Sequence, residues 1–272
     1  MAKYNKKRAR ELQHDKFRDT AGKIFDKAAD QLEGRGKIIV YSLVGVVLAA
    51  VLVGVYMKWS NRKADEARRA LGRGITIATA PVASGEPLAQ GAPPPEYATN
   101  QERAEKAIAV FQLVAAKYGD PYKTEAQYLI ATNMLAIDRE KGMAQLAEVA
   151  KSNVAESATL AKFALAQAKE GDGKLDEAAK LYSELAAQNS SVVTPDSANL
   201  RLAGVYEKQG KKKEATDLLF NIVEASRKAK DTDGTSLPPN GAARDAGEKL
   251  QKLDADRYAK LTPEAPSGNS PF

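Results

Sequence analysis

Few residues in this 272-residue chain have the type and spacing to do chemistry. Cysteine is absent, which excludes thiolate nucleophiles, disulfides and Cys-ligated metals. The single histidine, His14, stands among charged residues with no second ligand or acid–base partner nearby, and reads as a solvated surface residue. Asp231-x-Asp233-Gly234 has the opening of a calcium loop, but the remaining ligands and the closing Glu are missing. There is no Gly-rich phosphate loop and no nucleophile elbow, and the acidic residues are scattered as solvated helix faces. The expectation is a non-enzymatic protein with no catalytic residues, no metal site and no cofactor.

What remains is binding, and the elements that would position a binding surface start with an anchor. Ile38 to Met57 is a run of twenty residues without a charge. As a helix rising 1.5 Å per residue it covers roughly 30 Å, the hydrocarbon thickness of a bilayer. Lys37 closes one end and Lys58-Trp59 the other, with Tyr41 and Tyr56 beside them, as expected at headgroup depth. A cleaved signal peptide fits badly, because the apolar run is too long and starts after 37 residues. Within the span, Gly45 with Ala49 and Ala50 with Gly54 are small residues four apart, a spacing that permits close helix approach and a homo-oligomer. No ionisable residue interrupts the span, which argues against ion or proton transport.

The net charge of +6 is concentrated ahead of this run. Residues 1–37 hold eleven Lys or Arg against six acids, whereas residues 58–272 hold thirty against twenty-nine. Basic residues within twenty positions of the span are nearly balanced: five precede it and six follow it. Moving a +5 segment outward would oppose the membrane potential by about 2.3 kcal/mol per charge per 100 mV. The expected topology is therefore a cytoplasmic N-terminus and an outward C-terminal domain, periplasmic if the source is a Gram-negative bacterium. The basic start suits anionic headgroups, and no nucleic-acid partner is expected.

In chain order, 1–37 is a basic tail with an amphipathic helix from His14 to Gln31, 38–57 the transmembrane helix, and 58–73 a juxtamembrane helix ended by Gly72 and Gly74. Residues 74–99 form a linker rich in Ala, Gly and Pro. Helical spacing then recurs from Asn100 through Ala229, followed by a last helix over Ala242 to Leu261 that caps the array and a tail over 262–272. The helices pair into a self-similar unit. Ile130-Ala131, Leu165-Ala166 and Leu202-Ala203 share one step of the first helix, at offsets of 35 and 37 residues, and Gly173 and Gly210 end that helix alike. The second helices align through Met143/Ala147/Ala150, Ala178/Tyr182/Leu185 and Ala215/Leu219/Ile222.

This pattern resembles the tetratricopeptide repeat, two antiparallel helices with a period of 34. Ala203, Tyr206 and Ala215 match its consensus in the last unit, and Ala178, Tyr182 and Pro195 in the one before. Ala107, Phe111 and Pro121 look like the second helix of an earlier unit whose first helix comes from the segment after the anchor. The resemblance implies an all-α solenoid with a concave face lined by first helices. Gln127, Asn133, Lys162, Gln167, Arg201 and Lys208 fall on those helices and are the candidate groove residues. The whole layout, a basic tail, one span and a repeat domain, is similar to the membrane-anchored ancillary subunit of the SecYEG translocon. That similarity implies a bacterial inner-membrane scaffold whose partners are translocon subunits, chaperones or exported clients. A structural accessory subunit of another envelope complex is the alternative.

Overall fold

The computed structural model describes residues 36–83 and 96–263, all helix and connections. The expected amphipathic helix over 14–31 lies outside the described residues. The chain divides into two units, Met1–Ala64 and Asp65–Phe272.

Helix α1 runs Gly36–Ala78 without a break. In the first unit it is apolar on every side: Leu43, Val46, Leu52 and Val55 are each more than 60% exposed, and none of its apolar window is buried. It is the one helix among the described residues long and apolar enough to cross a membrane. Aqueous exposure of that much aliphatic surface is unfavourable at about 25 cal/mol per Å², so such a helix needs an apolar surround.

In the second unit, the remainder of α1 is followed by α2 (Asn100–Lys117), α3 (Tyr122–Met134), α4 (Arg139–Val149), α5 (Ala155–Gly171), α6 (Leu175–Ala186), α7 (Pro195–Lys208), α8 (Lys212–Lys228), α9 (Gly241–Leu253) and the short α10 (Ala255–Tyr258). From α2 onward each helix packs on the next. The core is divided into four clusters, and each joins one hairpin to the first helix of the following hairpin. Ala70 and Leu71 of α1 pack with Ala107, Phe111 and Val114 of α2 and Ala126 of α3. The same arrangement recurs with Ala131, Leu146 and Leu165 across α3–α5, with Ala166, Tyr182 and Leu202 across α5–α7, and with Ala203, Leu219 and Ala246 across α7–α9. No hairpin closes a core alone; stacking does. This is an all-α solenoid of tetratricopeptide-like hairpins.

Local chemistry sets the ends of these helices. Thr99, Asp138, Thr194 and Asn240 each accept a hydrogen bond from a backbone N–H of the first turn they precede. Gly173 and Gly210 have φ of 73° and 72°, and the residue after each donates back across the last turn, Lys174 to the Lys169 carbonyl and Lys211 to that of Tyr206. Only Gly adopts that left-handed turn without cost.

Four expectations change. The juxtamembrane helix does not stop at Gly72 and Gly74 but continues to Ala78. Gly74 is buried, and a Cβ there would come within 2.8 Å of Phe111 Cδ1 and Cζ, so this glycine permits a close crossing of α1 and α2 and is not a stop. The segment 74–99 is therefore no spacer ahead of the repeats. Its first residues are helical, and its ends are tied inside the first hairpin: Ala83 N–H donates to the Tyr97 carbonyl at 2.9 Å and Arg103 to the Ala80 carbonyl at 3.1 Å. In α4 the buried positions are Met143, Leu146 and Val149 where the repeat alignment expects Met143, Ala147 and Ala150. Gly142, whose Cβ would meet the Leu135 backbone N at 2.7 Å, lets this short helix seat its larger side chains inward. The last helix breaks at Asp254, whose carboxylate accepts from Arg257 N–H and so starts α10 afresh.

Candidate protein-docking surface on the first helices

Helices α3, α5, α7 and α9 occupy the first position of successive hairpins, and α3 lies against α5 as α7 does against α9. Their exposed sides are where a solenoid of this type presents side chains to another chain. The six candidates separate into two groups. Gln127, Gln167 and Arg201 are exposed and make no side-chain hydrogen bond among the described residues. The other three are engaged within the solenoid. Lys162, its side chain 20% exposed, pairs with Glu184 of α6 at 3.0 Å. Asn133 Nδ2 donates to the Leu129 carbonyl one turn back at 2.8 Å. Lys208 Nζ lies 2.6 Å from Glu170 Oε1.

Half-buried residues share this side at a common repeat position. Tyr128, Phe163 and Leu200 follow one another at the offsets of 35 and 37 that relate the three first helices. Phe163 meets Tyr182 edge-on, with centroids 5.8 Å apart. Helical spacing places Gln167 one turn from Phe163, while Gln127 and Arg201, each adjacent in sequence to a ladder residue, lie about 100° around the helix from it. The result is a half-buried apolar ladder fringed by amide and guanidinium groups that make no side-chain hydrogen bond among the described residues.

One turn before Tyr128 stands Glu125 of α3, close to Glu156 of α5. Burial, and then the neighbouring Glu156 charge, raises the Glu125 carboxyl above its ordinary value. Burial likewise raises the Tyr128 phenol. Behind the ladder, Tyr182 is wholly buried and its hydroxyl donates to Glu170 Oε2 at 2.9 Å. Burial first, and the Glu170 hydrogen bond and charge second, push that phenol far above its usual range. Glu170, bonded by both Tyr182 and Lys208, thus ties α5, α6 and α7 together.

Nothing in the repeat pattern marks this tie. Glu170 and Glu207 occupy the same repeat position, and each accepts from a lysine of the next first helix, Lys208 and Lys249 respectively, the latter at 3.5 Å. An ionic clasp therefore repeats from hairpin to hairpin. Its only sequence signal is Glu at an offset of 37, which is indistinguishable from a solvated face until the lysines are placed. Arg139 adds a third tie one hairpin earlier, pairing with Asp172 and donating to the Ala168 carbonyl at 2.9 Å.

The fold is that of a helical-repeat protein built from stacked tetratricopeptide-like hairpins. No family model matches the chain, and no curated protein matches it. Among solved structures, the chain is similar to the nearly identical TPR-like repeats of a Podosopora anserina protein described as a kinesin light chain, and to a single-substitution variant of the same protein. Each is 18% identical, with 59% of this chain and 82% of the other covered, at a TM-score of 0.43. The assignment to stacked tetratricopeptide-like hairpins rests on the four hairpin-bridging clusters.

Proposed function

We propose that this protein is a membrane-anchored, non-enzymatic scaffold that docks a segment of another protein along its first helices. The observation that carries the reading is the half-buried Tyr128–Phe163–Leu200 ladder fringed by the exposed side chains of Gln127, Gln167 and Arg201, which make no side-chain hydrogen bond among the described residues. The exposed apolar length of α1 supports a single membrane span, and the excess of basic residues ahead of it supports a cytoplasmic N-terminus. The layout resembles the ancillary translocon subunits, and on that ground the preferred partners are export-channel subunits, periplasmic chaperones or newly exported clients at a bacterial inner membrane.

The test is copurification of the full-length protein from its own membranes in mild detergent, beside a version ending at Ala64. Recovery of export components that depends on the repeats supports the proposal. Recovery of an unrelated complex by the truncated version alone contradicts it, and makes the chain a structural subunit held by its span.

A further inference from the structure

We infer that Lys58, Arg62 and Lys63, with Trp59, form a binding site for the headgroup of an anionic phospholipid at the C-terminal edge of the span. The inference rests on the reading of α1 as a membrane helix. These residues follow directly on Met57, where the apolar run ends, and all four are exposed. At 1.5 Å per residue, Lys58 to Lys63 extends from about 1.5 to about 9 Å beyond Met57. That interval matches a headgroup layer of about 5–8 Å, given that Lys and Arg side chains can reach back along their stems.

The charge arrangement points to an anion. Lys58 and Arg62 are four residues apart on one helix face, and like charges at that spacing destabilise a helix. No acid lies between Ile38 and Ala64 to offset them. The next two acids are both engaged elsewhere, Asp65 with Arg68 at 3.2 Å and Glu66 with Lys117 at 3.4 Å. A phosphodiester between Lys58 and Arg62 would relieve the repulsion, with the guanidinium offering a two-pronged donor set.

Trp59 sits beside that pair as a ready platform. Lys63 Nζ stacks 3.8 Å from its ring centroid, and Tyr56 lies tilted against it with centroids 6.4 Å apart. An indole at this depth keeps its ring against acyl chains and its N–H toward the headgroups. The third cation is thereby held against the indole, next to the first two.

Trp59 is the only tryptophan in the chain, so its fluorescence reads the site directly. The full-length protein is placed in bilayers of phosphatidylcholine and phosphatidylglycerol in equal parts, with bromine high on the acyl chains of either one lipid or the other. Brominated phosphatidylglycerol should quench Trp59 several-fold more effectively than brominated phosphatidylcholine. The excess should shrink by roughly five-fold for each cation lost. It should therefore be largely absent in K58Q/R62Q, which leaves the Lys63–Trp59 stack in place. Equal quenching by the two lipids would overturn the anionic site while leaving the span intact. A full preference retained by K58Q/R62Q would overturn the residue assignment. Quenching by neither lipid would overturn the membrane reading itself.

Discussion

Gly74 shows how one missing methyl group decides where a helix goes. Its hydrogen faces the Phe111 ring, and a Cβ would overlap that ring, whereas Gly72 two residues earlier faces open space. G74A should therefore lower stability by about 1–3 kcal/mol, the usual cost of overpacking a filled contact. G72A should raise it by up to about 1 kcal/mol, because alanine is the better helix former. Urea unfolding of the two variants side by side checks both signs. From sequence the two glycines are equivalent, since the same lack of a Cβ serves a helix end and a close crossing. Gly173 and Gly210 were legible because their place after a periodic run, repeated at 37 residues, leaves only the helix-end role.

Glu224 carries the pH dependence at this scale. A hydrogen bond from Lys228, and then those from the Thr262 hydroxyl and backbone N–H, hold its carboxyl down at about 2 from an ordinary value of 4.5. A carboxyl lowered by folding adds stability above its unfolded value and loses it as pH falls toward the folded one. Attachment of Thr262 to α8 should thus weaken progressively between about pH 4.5 and pH 2. In E224Q that dependence should be missing. Limited proteolysis across this range, by a protease active in acid, reads it: cleavage near Thr262 should rise with acidity in the native chain and be pH-independent in the variant.

At the scale of elements, the solenoid is held by apolar clusters inside and by a clasp outside. Tyr182 joins the two, being buried while its hydroxyl reaches Glu170. Y182F keeps the packing and removes one hydrogen bond, leaving Glu170 with Lys208 alone, and should cost about 1 kcal/mol. E207Q, at the equivalent position in the next hairpin, breaks a longer and more exposed pair and should cost less than about 0.5 kcal/mol. Chemical denaturation distinguishes the two. The helices themselves were legible, because a period near 3.6 and a unit near 35 both survive in Ala131, Ala166 and Ala203. What the period does not encode is side-chain commitment. Lys162, Asn133 and Lys208 have the same pattern as Gln127, Gln167 and Arg201, yet the first three spend their polar groups inside the stack.

At the scale of the molecule, the boundary of the solenoid is the main departure from a linear reading of the sequence. Pro-rich composition suggests a spacer over 74–99 and a repeat domain starting at Asn100, but the match of Ala107 and Phe111 to a second helix already assigns the segment after the anchor to a first hairpin, and Ala67, Ala70 and Leu71 of α1 are buried there in the second unit. A fragment starting at Asp65 should be soluble, helical and cooperative in unfolding. One starting at Asn100 should expose Ala107, Phe111 and Val114 and aggregate or melt at lower temperature, which circular dichroism and gel filtration would show. The opposite ranking would place α1 outside the solenoid core.

The central claim is that the first helices bind another protein, and site-directed photocrosslinking in native membranes tests it most directly. A photoreactive side chain is placed at Gln127, Gln167 or Arg201 of the full-length chain, and at Lys180 and Asn221 on second helices as controls, all exposed. The account predicts that the three first-helix positions yield the same discrete protein adduct and that Lys180 and Asn221 do not. Adducts from the controls but none from Gln127, Gln167 or Arg201 would contradict it.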